Sequence, residues 1–106
     1  MEISVLEQQV LMTLLRLDPN GYGISIRADL SSRTGKDYAL GSIYSALDRL
    51  ARKGFATSRQ GIATKERGGR AKLHFVISGE GRRALDQSVR DFEALRSGLN
   101  GAEVLP

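Results

Sequence analysis

No cysteine occurs among the 106 residues, which excludes a disulfide framework and any thiolate metal centre. One histidine, His74, stands alone, and a single imidazole falls short of the ligand set that a zinc site needs. Tryptophan is absent and aromatic residues make up 6% of the chain. No apolar run approaches the length that spans a bilayer, so no membrane is expected as a partner. The N-terminus lacks the basic region and continuous apolar core of a secretory signal, so a cytoplasmic location is the expectation. A nucleophile–base pair, a carboxylate constellation and a phosphate loop are missing too. The Gly68-Gly69 pair does not open a helix after a strand, as a nucleotide loop does. Neither an enzyme nor a bound cofactor is expected.

Acidic residues are scarce in one stretch only. The chain carries a formal net charge of +4. Residues 41–77 hold eight Lys and Arg against Asp48 and Glu66, a surplus of +6, while the flanks are slightly acidic. A positive patch on a near-neutral body is the footprint of a polyanion binder, although a solvated basic face has the same composition. The length suits one domain with a modest core.

The basic stretch opens with LGSIYSALDRLARKG, residues 40–54. Ile43, Leu47 and Leu50 recur at spacings of four and three, so they share one face of a helix. Ser42, Ser45, Arg49 and Arg52 recur on another, and hydroxyls with guanidinium groups suit phosphates and base edges. Gly54 is placed to end the helix. Tyr44 sits at the edge of the apolar face, as a DNA contact or as a core aromatic with its hydroxyl at the rim. Arg49 and Arg52 either contact phosphate or pair with Asp48 and Glu66.

Two helices are expected before it. Ser4 and Glu7 have capping-box spacing, and Leu6, Val10, Leu14 and Leu17 form a stripe with Leu11, Met12 and Leu15 beside it. The width of that apolar surface fits either a central core helix or one that also meets a partner. Asp18-Pro19-Asn20-Gly21 ends the helix. A second helix is expected from about Tyr22 to Arg33, stopped by Gly35. Two short helices, a brief link and a third helix with a polar outer face make a helix-turn-helix outline.

Beyond Phe55 the period changes. Phe55 to Arg59 can form a strand, and Gln60 to Gly69 is rich in Gly, Lys and Arg. From Arg70 the chain alternates as a half-buried strand does, with Ala71, Leu73, Phe75 and Ile77 facing one way and Arg70, Lys72, His74 and Val76 the other. A hairpin wing results, whose basic residues Lys65, Arg67, Arg70 and Lys72 can reach a phosphate backbone or minor groove. Ser78 then caps a last helix, about Gly79 to Leu99, with Leu85, Val89, Phe92, Leu95 and Leu99 as its apolar stripe. That stripe needs cover, from its own domain or from a second copy of the chain. Leu11 and Leu15 of the first helix join it in the expected dimer interface.

The expected fold is therefore α+β and mostly helical. A winged helix-turn-helix domain covers residues 1–78, a C-terminal dimerisation helix residues 79–99, and a frayed tail residues 100–106. Gly21-Tyr22-Gly23-Ile24, the run Gly41-Ser42-Ile43-Tyr44 continuing through Leu47, Leu50 and Gly54, Gly69-Arg70-Ala71-Lys72, and Ser78-Gly79-Glu80-Gly81 resemble the PadR (phenolic acid decarboxylase regulator) family of bacterial transcription factors. The likeness runs from about Leu6 to Leu99, in the compact subgroup with one short C-terminal helix. It implies a homodimeric repressor that reads an inverted repeat in double-stranded DNA, and many such repressors are released by a small apolar or aromatic effector. The resemblance places Ser42, Tyr44 and Ser45 on the recognition helix, and Arg70 and Lys72 in the wing. Two departures stand out. Ala39-Leu40 replaces the usual Ser/Thr-Pro start of that helix, and His74-Phe75 replaces a Tyr-Tyr pair. The competing expectation is a winged-helix adaptor whose basic patch docks an acidic protein.

Overall fold

The computed structural model describes residues 2–60 and 73–106, in the order α1 (Val5–Leu17), α2 (Gly23–Thr34), α3 (Leu40–Arg52), β1 (Ala56–Gln60), β2 (Leu73–Ile77) and α4 (Gly79–Arg96). The wing calls at Lys65, Arg67, Arg70 and Lys72 lie outside the described residues.

Local chemistry sets most boundaries. At the start of α1 the capping box is complete, with Glu7 N–H donating to Ser4 Oγ at 3.1 Å and Ser4 N–H to Glu7 Oε1 at 2.7 Å. Asp18 before Pro19 has left the helical region at ψ 130°, as its neighbour demands. Gly35 closes α2 in the left-handed conformation, φ 71°, and its N–H reaches the Ser31 carbonyl at 2.9 Å. Ser78 caps α4 by accepting from Gly81 N–H at 3.0 Å.

Helix α3 is the exception, because Ala39 at its N-cap offers no side-chain acceptor. A lost cap costs about 1 kcal/mol. Against that, Ile43, Leu47 and Leu50 are fully buried, and each such side chain contributes about 1.5–3 kcal/mol. Burial of one face therefore holds α3, and its first turn does not need a cap.

Helix α1 lies at the centre and packs on α2, α3, α4 and β2. Val10, Leu11 and Leu14 from α1 meet Ile26 and Leu30 of α2 and the apolar face of α3 in one core, closed at one side by Phe55, Phe75 and Leu85. The strands pair antiparallel, from Ala56 opposite Ile77 to Gln60 opposite Leu73. The base of this hairpin is clasped from outside: Ser78 Oγ donates to the Gly54 carbonyl at 2.6 Å and Ser78 N–H to the Phe55 carbonyl at 3.0 Å. Phe75 N–H also donates to the Gly21 carbonyl at 2.9 Å, so β2 is tied to the turn after α1. A Cβ on Gly21 would lie 2.6 Å from the Phe75 carbonyl oxygen, which is why glycine stands there.

Four sequence expectations need correction. Leu11 is fully buried and Leu85 is nearly so; both fill the protomer's own core and cannot line an interface between copies. Helix α4 ends at Arg96, which puts Leu99 beyond the helix. Leu73 is half exposed, because it lies at the open end of the hairpin, past the edge of the core that Phe75 reaches.

Candidate nucleic-acid interface

The outer surface of α3 has a crown and two edges. Gly41, Ser45, Asp48 and Arg52 recur at intervals of three and four, all exposed, and form the crown. Ser42 and Arg49 lie along the edge nearest α1, where Leu6, Ala39, Gly41, Ser42, Ser45 and Arg49 line an open depression of about 540 Å³. Tyr44 lies along the opposite edge, over α2. Its ring packs so close to Gly23 that a Cβ there would come within 2.5 Å of it. The tyrosine is thus an exposed rim residue seated on α2, with its side chain about half accessible.

The two arginines differ. Arg52 projects into solvent and meets Asp48 one turn back at 3.1 Å, with both side chains well exposed. A pair of that kind is worth at most about 1 kcal/mol, so a phosphate can draw Arg52 away. Arg49 is anchored, with its Nε donating to Glu7 Oε2 at 3.3 Å. Lys53 reaches the same carboxylate at 2.8 and 3.0 Å and the Glu2 carbonyl at 2.9 Å. Lys53 is therefore spent inside the protein, although sequence placed it in the basic patch.

Glu7 is buried to within 1% of full enclosure. Burial alone pushes its carboxyl up, but the Lys53 ammonium and the Ser4 N–H and hydroxyl favour the charged form, and the net shift is below the ordinary value of 4.5. Asp29 is also lowered, first by the Arg16 hydrogen bond at 2.7 Å and then by Arg33. A depressed carboxylate adds stability above its unfolded pKa, and that stability is lost as pH falls through the folded value. The urea midpoint should therefore fall as pH drops below about 4.5. Glu7→Gln should flatten that fall, and Asp29→Asn should flatten it further. An unchanged slope in both variants would show that the two carboxylates titrate alike folded and unfolded.

A second surface is apolar. Beyond Ser88 every residue of α4 is exposed. Val89, Phe92 and Leu95 are 37%, 59% and 79% accessible, and Met12 and Leu15 of α1 are also uncovered. Between α4 and the N-terminal segment runs a groove of about 640 Å³ with a mixed lining, apolar at Ile3, Phe55, Phe92 and Leu95 and charged at Glu2, Arg83 and Asp91. Among the described residues, no helix is long and apolar enough to cross a membrane.

Sequence reasoning missed Glu7 as an anchor, Gly41 and Asp48 as crown residues, and Gly23 as the seat of Tyr44. Helical spacing alone could have placed Gly41 and Asp48. Nothing local signals the other two, whose partners lie far along the chain.

The comparisons agree with this geometry. The family model described as Transcriptional regulator PadR-like family matches residues 10–87. No curated protein matches the chain in sequence. Among solved structures, the chain is similar to a transcriptional regulator from Clostridium thermocellum, at 24% identity over 89% of this chain and 88% of that one, with a TM-score of 0.74. A PadR-like transcriptional regulator from Bacillus cereus gives 19% identity, coverage of 93% and 94%, and a TM-score of 0.76. A PadR family transcription regulator from Clostridium difficile gives 18%, coverage of 92% and 96%, and 0.73. At such identities the structural likeness speaks to the fold alone.

Proposed function

Because the chain belongs to the PadR-like family of transcriptional regulators, we propose that it acts as a homodimeric repressor reading an inverted repeat in double-stranded DNA. The observation that carries this reading is α3, fully buried along Ile43, Leu47 and Leu50 and exposed along Ser42, Ser45, Asp48 and Arg52. That helix enters the major groove, where Ser42 and Ser45 meet base edges and Arg49 and Arg52 meet phosphates. Lys65, Arg67, Arg70 and Lys72 of the wing hold the backbone alongside. Two copies pair through Val89, Phe92 and Leu95 of α4 and Leu15 of α1. Recognition helices about 34 Å apart then read half-sites one turn apart. The groove beside Phe55 and Phe92, whose lining also carries Arg83 and Asp91, is where a small effector that releases the repressor would sit.

Selection of bound duplexes from a random pool, followed by salt titration of the winner, tests the proposal. The expected result is an enriched inverted repeat whose log affinity falls with log salt at about 0.9 per phosphate neutralised. Arg70→Ala or Lys72→Ala should weaken all duplexes alike and flatten the slope by about one unit per wing. Ser42→Ala or Ser45→Ala should instead change which bases are preferred. Salt-sensitive binding with no preferred sequence would remove the repressor reading and leave a basic surface for an acidic protein partner.

A further inference from the structure

The Glu7 cluster holds one more cation than it needs. Both carboxylate oxygens of Glu7 accept from Lys53, and Oε1 also accepts from Ser4 N–H. That ammonium already neutralises the buried charge. Arg49 adds a second positive charge through Nε alone. Its Nη groups have no acceptor among the described residues, and its side chain is 46% exposed. A guanidinium presents its donors in a rigid fork, so fixing one edge also fixes where the other edge points.

We propose that Glu7 is a positioning residue for DNA contact, gripping Arg49 by Nε so that its Nη edge meets a backbone phosphate beside Ser42 and Ser45. The proposal rests on the DNA-binding reading above. Phosphate is the ligand rather than a base edge, because Arg49 stands in the last turn of α3, two turns beyond Ser42, and the N-terminal residues of a recognition helix are the ones that reach base edges. The shallow depression that Arg49 shares with Ser42 and Ser45 has room for such a group, and Leu6 is part of its lining. A free arginine loses rotamer freedom when it binds. Here the fold has already removed that freedom through a carboxylate that never touches DNA.

The test is a double-mutant cycle read as affinity for the selected duplex, with thermal melts alongside. Glu7→Gln should weaken binding by about threefold to tenfold per protomer. Arg49→Ala should weaken it at least as much and flatten the salt slope by about 0.9 per protomer. In the Arg49→Ala background, Glu7→Gln should have no further effect on affinity, whatever it does to the melt. An equal loss in both backgrounds would make Glu7 merely structural and overturn the proposal, as would no loss in either. Should Glu7→Gln fail to fold, Arg49→Lys decides. It keeps the charge but lacks the fork, so affinity close to that of Arg49→Ala supports positioning, and affinity close to the parent overturns it. If the parent protein itself binds no duplex in a salt-dependent way, the DNA reading falls and takes this with it. A parent that binds while the cycle is additive removes Glu7's role alone.

Discussion

Replacing Phe92 and Leu95 together by aspartate is expected to leave a folded monomer and to lower affinity for an inverted-repeat duplex by a factor of about 10² to 10⁴. Both side chains lie on the half of α4 that the protomer's own fold does not cover, at 59% and 79% exposure. The substitutions therefore remove little that holds the protomer together, and the melt of the monomer unit should barely move. In the proposed dimer, what they remove is the tether between two recognition helices. A second half-site bound within one complex sees a high effective concentration of its helix, and a monomer loses that gain entirely. Sedimentation gives the oligomeric state, and titration of the selected duplex gives the affinity. A variant that stays dimeric would move the interface elsewhere. A monomer with parental affinity would mean that single sites are what the protein reads.

Gly81→Ala should destabilise the domain by about 3 kcal/mol, the upper part of the overpacking range. Glycine inside a helix ordinarily costs up to about 1 kcal/mol relative to alanine, so the naive sign is the opposite. Here a Cβ would run into the Phe55 carbonyl oxygen and crowd Ile77. The obstacle is main chain, held by Ser78 N–H at 3.0 Å, and cannot swing aside. For a domain of this size each kcal/mol moves Tm by about 4–8 °C, so a fall of more than about 10 °C is expected. Gly41→Ala is the counter-case. Nothing lies within 4 Å of a Cβ there, and its melt should hold or rise. A Gly81→Ala protein as stable as the parent would show that α4 can slide away from β1.

Periodic signals in the sequence were enough for the elements. The S-x-x-E spacing of Ser4 and Glu7 located the start of α1, the four-and-three spacing of Ile43, Leu47 and Leu50 located α3, and Ser78 located α4. Each of these is a short-range rule, and each was legible for that reason. The same Glu7 also grips Arg49 and Lys53, more than forty residues on, and no local pattern carries such a contact. Apolar stripes say which face is buried but not by what. Leu11 and Leu85 look like Leu15 and Phe92 in sequence, yet the first two fill the core and the others stay exposed. Alternation likewise ran one residue pair too far at Leu73, because period tells the face of a strand and not where the core beneath it stops. The tight approach at Gly81 is invisible for the same reason, since its neighbour Phe55 lies far back along the chain, on the link between α3 and β1.

The serine clasp at the base of the hairpin has a consequence for chain length. Chain entering the hairpin at Gly54 and Phe55 is bonded to chain leaving it at Ser78, so the two ends meet whatever connects Gln60 to Leu73. Closure entropy grows with the logarithm of length, and doubling a connection costs only about 0.6 kcal/mol. Lengthening that connection is therefore expected to cost little stability. Length changes in that span should be tolerated, whereas a single added methyl at Gly81, on the closed side of the clasp, should not.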